Sequence, residues 1–356
     1  MSSTDAVILV GGQGTRLRPL TLSAPKPMLP TAGVPFLAHP LSRIRDAGIT
    51  HVILSTSYQA EVFRSYFGDG AAFGLELEYV HEDEPLGTGG GIRNIADRLR
   101  ADTVLVFNGD ILSGVDIGGL LSTHHDHDAE VTLYLTEVAD ARAFGSVPTD
   151  ADGRVLAFLE KTPEPITNQI NAGTYVFRRE VIEAIPTGRA VSVEREVFPG
   201  LLEAGARVCG HLDHGYWRDL GTPADFIAGS ADLVRGLAPT GALPGPVGEA
   251  LVLGGAVVAY RAQIVGGSSI GAGSVVGTGA VVDGSVVFDG ARIEPGAVVR
   301  RSAIGAGAVI GAGTVIEDAV IGDGAQIGSG NELRAGVRIW PGTVVGADST
   351  RFSAPS

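Results

Sequence analysis

Short apolar runs alternate with amphipathic stretches along the first two-thirds of the chain. AVILV (6–10), HVILST (51–56), TVLVFN (103–108), VTLYL (131–135) and TYVF (174–177) are apolar segments of strand length, the pattern of strands buried on both faces. FLAHPLSRIRDAG (36–48) and AEVFRSYFG (60–68) between them have the character of helices. Strand–helix alternation predicts an α/β domain over residues 1–235, with a mostly parallel sheet covered on both faces. Residues 236–250, GLAPTGALPGPVGEA, are rich in Gly and Pro and poor in charge, and predict a linker.

Beyond the linker, over residues 251–356, the period changes. From Ile264 an aliphatic residue returns at 270, 276, 282, 287, 293, 299, 304, 310, 316, 321, 327, 333, 339 and 345. Eleven of the fourteen steps are six residues; the steps ending at 287, 304 and 321 are five. A six-residue period fits neither the helix period nor simple strand alternation. It resembles the hexapeptide repeat of left-handed parallel β-helices. That resemblance implies one inward aliphatic side chain per hexapeptide, three hexapeptides per triangular coil, and small residues at the corners.

Composition narrows the function. The formal net charge of −14 repels phosphate backbones, which argues against nucleic acid as a partner. No apolar run approaches the length of a membrane span, and the N-terminus lacks a signal-peptide pattern, so no membrane partner is expected. A single cysteine, Cys209, excludes an internal disulfide and fits a cytoplasmic setting; it is expected to be packed. In so acidic a chain an anionic ligand needs a local cluster of cations.

Such a cluster follows the first strand. In VILVGGQGTRLRPLTLSAPKPMLP (7–30) a glycine-rich turn is followed by Arg16, Arg18 and Lys26. Backbone N–H groups in such a turn converge on an anion. Gly12-Gln13-Gly14-Thr15-Arg16-Leu17 lacks the third glycine of the dinucleotide fingerprint, and no Gly-Lys-Ser/Thr makes it a P-loop. The three cations favour a phosphate site over a plain turn. Further on, Asp110 ends TVLVFNGD, a carboxylate at a strand end where ligands of open α/β sheets bind. Asp219 in WRDLGTP suits either a second metal-binding carboxylate or a turn or helix-cap aspartate.

GGQGTRLRPLT…PKPMLP resembles the GGxGTRLxPLT…KPM motif of sugar-1-phosphate nucleotidyltransferases. With PLGTGGGI (85–92), FNGD (107–110), FLEK (158–161), NAGTYVF (171–177), VSVEREVFP (191–199) and WRDLGTP (217–223), the set is most similar to the mannose-1-phosphate guanylyltransferase branch. The resemblance covers nearly the whole chain. It implies a Rossmann-like nucleotidyltransferase domain followed by the left-handed β-helix. It also implies a reaction in which a sugar 1-phosphate attacks the α-phosphorus of a nucleoside triphosphate and pyrophosphate leaves. Arg16, Lys26 and Lys161 match the cations set against the reacting phosphates; Arg18 sits in the motif but suits a surface salt bridge equally well. Gly11, Gly12, Gly14, Thr15, Gly87 and Thr88 match the nucleotide site. Gly145, Glu160, Asn171 and Gly173 match the sugar site, although Glu160–Lys161 also suits a strand-end ion pair. Asp110 and Asp219 match the ligands of Mg²⁺. The β-helix implies a homo-oligomer.

Glu82, in YVHEDEPLG, bears on the base. Similar uridylyl- and thymidylyltransferases carry Gln here. Guanine presents two adjacent donors that a carboxylate accepts, whereas uracil and thymine present an acceptor–donor–acceptor edge. The expected substrates are therefore GTP and mannose 1-phosphate, with a solvated loop as the other reading of Glu82. The alternatives are glucose 1-phosphate with GTP, dTTP or UTP, and a non-catalytic regulatory subunit that binds a nucleotide sugar. An acyltransferase of hexapeptide type would need a histidine on the β-helix, and the last histidine is His214. His124-His125-Asp126-His127-Asp128 matches no zinc spacing and predicts a solvated loop. VSVEREVFPGLLEAG (191–205) suits an ordinary helix, which leaves Glu194 and Glu196 outside the site.

Overall fold

The structure, a computed structural model, describes residues 3–56 and 60–351. Residues 352–356 of the predicted β-helix domain lie outside the described residues. The chain forms two compact units, residues 1–12 with 41–217, and residues 13–40 with 218–356. The second takes in the segment carrying Arg16 and Lys26, a grouping that the change of texture at 236–250 does not announce.

Four predicted or neighbouring runs form the parallel heart of the first unit. β1 (Thr4–Leu9), β2 (His51–Thr56), β3 (Glu76–His81) and β4 (Thr103–Asn108) lie in the order β3-β2-β1-β4. The helices are α1 (Ala38–Asp46), α2 (Ala60–Phe67), α3 (Gly87–Asn94), α4 (Ile117–Asp126), α5 (Arg179–Glu183) and α6 (Phe198–Glu203). The sheet then turns mixed. β5 (Val131–Glu137) and β4 both pair antiparallel with β6 (Gln169–Arg178), while β7 (Val208–Leu212) pairs parallel with β5. No helix separates β5 from β6 in the chain, so nothing provides the crossover that a parallel neighbour needs. Val7, Ile53, Val106, Leu133 and Phe177 are fully buried in one core, with the Phe198 ring 5.2 Å from that of Tyr175 and 6.0 Å from that of Phe177.

Two local expectations change. The histidine cluster is not a solvated loop throughout: α4 runs to Asp126, and His124 is buried with its Nδ1 3.0 Å from Thr132 Oγ1. Val193–Val197 is a turn of π-helix leading into α6, not an ordinary α-helix.

In the second unit short strands stack into three parallel sheets, the arrangement of a left-handed parallel β-helix. The repeat positions fall in register: Ile270 beside Val287, then Ile304, Ile321 and Ile339. From Ile270 to Leu333 every one of them is buried in a single column. One row of corners carries a ladder of buried serines: Ser268, Ser285 and Ser302 Oγ accept the N–H of Ser285, Ser302 and Ala319 at 3.0, 3.1 and 3.1 Å. Ser285 and Ser302 fall within the first two five-residue steps, whereas the third, 316–321, has Ala319 at the equivalent place.

Helix α7 (Pro223–Val234) lies on this prism. Thr222 caps it by accepting the Asp225 N–H at 3.2 Å, and proline occupies its first position. Phe226 and Ile227 share a core with Val286, Phe288, Ala303 and Val320 of the β-helix and with Leu17, Leu20 and Leu29 of the early segment. The predicted linker is held rather than loose: Thr240 Oγ1 lies 2.8 Å from His39 Nδ1, and Gly248 N–H donates to Val234 O at 2.8 Å. Among the described residues no helix is long and apolar enough to cross a membrane.

Two predictions follow from buried polar groups in this unit. Ser285→Ala leaves the buried Ser302 N–H unpaired, and should cost about 1–3 kcal/mol in thermal or denaturant unfolding; an unchanged midpoint would reject the serine ladder as a stabilising device. His39 Nε2 donates to Thr31 O at 3.0 Å, and burial lowers its pKa to about 4. The unfolded chain then takes the proton first, so its contribution is intact above pH ~6.5 and is lost as pH falls towards 4, by about 3 kcal/mol in all. Tm against pH should be flatter over that window in His39→Gln than in the parent.

Candidate active site

In the first unit four of the sequence-predicted residues follow the C-terminal ends of parallel strands. Gly11 and Gly12 leave β1, Glu82 leaves β3, and Asp110 leaves β4 by way of Gly109. Gly109 donates its N–H to Leu9 O at 2.9 Å, and a Cβ on it would stand 2.4 Å from that oxygen. The glycine of FNGD thus lets two strand ends close together, which sets where Asp110 begins.

Glu82 is not the solvated loop residue of the other reading. It is 9% exposed; Ser55 Oγ donates to one carboxylate oxygen at 2.7 Å and the Leu86 N–H to the other at 3.2 Å. Its neighbours Asp83 and Glu84 are exposed. Two anchored oxygens, each with a lone pair to spare, form a fixed double acceptor. Gly87 begins α3 at φ 71°, and a Cβ there would lie 2.6 Å from Val191 O. Its glycine is therefore required by the backbone itself, apart from any ligand.

The sugar-site candidates also come together. Gly145 pairs with Glu160 across an antiparallel bridge, and a Cβ on Gly145 would meet the Glu160 carboxylate at 3.0 Å. Asn171 Nδ2 donates to Tyr175 OH at 2.9 Å, while its Oδ1 accepts the Gly173 N–H at 3.1 Å. This occurs where the β5–β6 register shifts. Burial pushes the Tyr175 hydroxyl well above its ordinary pKa, so it remains a neutral donor. Lys161 is exposed and stands 3.6 Å from Glu160, so the strand-end ion pair is present.

The second unit holds the other residues. Gly14 adopts φ 56° and precedes the single turn Thr15–Leu17; Thr21 Oγ1 donates to Gly14 O at 2.9 Å and closes the loop. Leu17, Leu20 and Leu29 are buried, leaving Thr15, Arg16 and Arg18 on the surface. Arg18 has no ion pair among the described residues; its carbonyl instead accepts from Arg338 at 2.8 Å. Lys26 is buried, with Nζ 4.0 Å from Asp219 Oδ1. Asp219 is not the helix cap, a role taken by Thr222. The Arg16 guanidinium rests on Gly221, where a Cβ would lie 2.6 Å from Nη2.

Among the described residues no group of three or more His, Cys, Asp or Glu side chains is placed to hold a metal ion. Asp110 and Asp219 supply hard oxygen donors of the kind Mg²⁺ takes alongside substrate phosphates and water. One residue outside the predicted site joins it. Glu194, on the π-helical turn, accepts from Thr88 Oγ1 at 2.8 Å and from Ser192 Oγ at 2.7 Å. The SVE of the VSVEREVFP motif was the available signal, and an ordinary helical pattern obscured it.

Residues 5–236 match the model of the nucleotidyl transferase family, and residues 247–350 match the model of the GMPPB C-terminal domain. The chain belongs to the nucleotidyl transferase family. It is 61% identical over 351 residues to a mannose-1-phosphate guanylyltransferase of Mycobacterium tuberculosis, covering 98% of both chains. It is 39% identical to mannose-1-phosphate guanylyltransferase catalytic subunit beta of Drosophila pseudoobscura pseudoobscura, over 70% of this chain and 69% of that one. The structure of HddC from Yersinia pseudotuberculosis, complexed with GMP-PN, superimposes with a TM-score of 0.57 at 30% identity, over 65% of this chain and 100% of that one. As a nucleotidyl transferase the chain is an enzyme, of a family that generally uses a divalent metal.

If the Arg16 guanidinium acts from its seat on Gly221, Gly221→Ala should lower kcat/KM for nucleotidyl transfer roughly tenfold or more by displacing one charge-assisted phosphate contact. The unfolding midpoint should hold. Parental kinetics in a folded variant would remove Arg16 from the reacting phosphates.

Proposed function

We propose that the chain transfers GMP from GTP to mannose 1-phosphate, giving GDP-mannose and pyrophosphate. The observation that carries this reading is 61% identity, over 98% of both chains, to a mannose-1-phosphate guanylyltransferase. The sugar phosphate brings its own nucleophile, so the protein's task is alignment and charge neutralisation. Arg16 holds two oxygens of the triphosphate with its planar fork. Lys26 and Lys161 neutralise the reacting and the sugar phosphates. Gly11, Gly12, Gly14, Thr15, Gly87 and Thr88 line the nucleotide, while Gly145, Glu160, Asn171 and Gly173 meet the sugar. Asp110 and Asp219 would hold Mg²⁺, which when bound neutralises phosphate charge.

Glu82 reads the base in this account. Its anchored oxygens accept guanine N1–H and the 2-amino group; a pyrimidine edge leaves a buried acceptor unpaired, which costs about 1–3 kcal/mol or more. Residues 1–235 are assigned to catalysis, 236–250 to a linker and 251–356 to a β-helix through which copies assemble. The end coils support that last role, since Val257, Tyr260, Trp340 and Val344 are exposed. The reaction is placed in the cytoplasm, in keeping with a sole, buried cysteine.

The test is pyrophosphate release with Mg²⁺, crossing GTP, UTP, dTTP, CTP and ATP with mannose and glucose 1-phosphates. Release confined to GTP and mannose 1-phosphate is expected. Another pair would overturn the specificity, and no release from folded protein would point to a regulatory subunit. Glu82→Gln should erode the preference for GTP over UTP at least tenfold, and an unchanged ratio would sink the base-reading role. Asp110→Asn should sharply reduce turnover without loss of fold.

A further inference from the structure

In the second unit, α7 and one row of β-helix corners enclose a cavity of about 680 Å³, within the range of small-molecule sites. Helix α7 presents Ala224, Ala228 and Ala231 to it, residues spaced along one face, and Arg235 follows at its C-cap. The opposite wall is a row of equivalent corner positions, all with positive φ: Gly266 (73°), Gly284 (53°), Arg301 (42°), Asp318 (49°) and Ala335 (56°). This conformation favours glycine. The row keeps it in the first coils and then replaces it with Arg301 and Asp318, whose side chains bond each other at 2.8 Å beside the cavity.

Four arginines and three aspartates line it. Three of those arginines are already neutralised. Arg218 pairs with Asp225 and Asp232, Arg235 with Glu249, and Arg301 with Glu317 and Asp318. Arg338 pairs with no carboxylate among the described residues. Its Nη1 donates to the carbonyls of Arg16 and Arg18, both at 2.8 Å. Pro223, Ile227 and Val320 add apolar surface. One uncompensated guanidinium beside apolar wall suits a ring-bearing body with a single strongly anionic group.

We propose that this cavity is a second ligand site, for a phosphomonoester of a sugar or nucleoside, and that its occupancy is relayed to Arg16 through Arg338. A phosphate makes a charge-assisted bond to the guanidinium, stronger than either neutral carbonyl contact. It draws Arg338 from the Arg16 and Arg18 carbonyls and loosens the loop that seats Arg16 on Gly221. Arg218 gives a second link, being adjacent in sequence to Asp219. The ligand therefore lowers turnover. This relay rests on the nucleotidyl-transfer reading; the binding does not.

The experiment is titration calorimetry on the full chain with glucose 6-phosphate and with AMP, neither of which carries the anomeric phosphate of a substrate. Saturable binding of one of them is expected, weakened at least tenfold both by Ala228→Phe, which fills the cavity, and by Arg338→Gln, an exposed position. Ala228→Phe should retain the unliganded turnover and lose the response to ligand. No saturable binding of either probe at millimolar concentration would overturn the site, as would equal affinity in Ala228→Phe. Binding that leaves turnover unchanged would overturn the relay.

Discussion

The arrangement of charge in this enzyme depends on the burial of three leucines. Leu17, Leu20 and Leu29 sit in one core with Phe226, Ile227, Val286, Phe288, Ala303 and Val320. Fully burying a leucine stabilises by about 1.5–3 kcal/mol, enough for three of them to pin a segment that has single 3₁₀ turns and no long helix of its own. Arg16 and Arg18 flank Leu17, so once Leu17 is inside they must stand outside. The apolar half of the motif therefore places its cationic half, and the prism beneath is a floor for the loop as well as a tail to the chain.

The first unit solves its positioning problem by close backbone approach. Gly109 touches Leu9, Gly87 touches Val191, and a Cβ on Gly173 would fall 2.3 Å from Ile111 and 2.9 Å from Asn108. At each place a missing side chain lets one strand end or turn move in beside another. Functional groups then emerge at fixed depth from neighbouring strands. Glu82 shows the benefit: a carboxylate tethered at both oxygens has little rotameric freedom left to lose.

Periodicity and resemblance made much of this legible. The β-helix register could be read to the residue, because one buried aliphatic per coil face leaves a period that no other fold shares. The five-residue steps were visible too, but not the serine ladder that runs past two of them, since a serine at a corner looks like any small residue until its hydroxyl is seen accepting the next coil's N–H. The direction of β6 was hidden for a different reason. A doubly buried strand has the same composition in either direction, and only the missing crossover helix decides. Thr88–Glu194 and Arg338–Arg16 were hidden because they join residues more than a hundred positions apart, and no local pattern encodes such a pair. The grouping of residues 13–40 with the β-helix was masked by the motif's familiar place after the first strand.

A reaction that uses no protein nucleophile puts unusual weight on where charges stand. Arg16 is held from three sides: Leu17 anchors the backbone, Gly221 gives the guanidinium a flat seat, and Arg338 fixes the carbonyl. Lys26 is held differently, buried with its Nζ 4.0 Å from Asp219 Oδ1. Exposed cations on flexible stems would give the same net charge but not the same field, because each would spend its time in water among many rotamers. The enzyme instead fixes Arg16 and Lys26 through apolar packing, a close glycine, a neighbouring carboxylate and a rigid repeat.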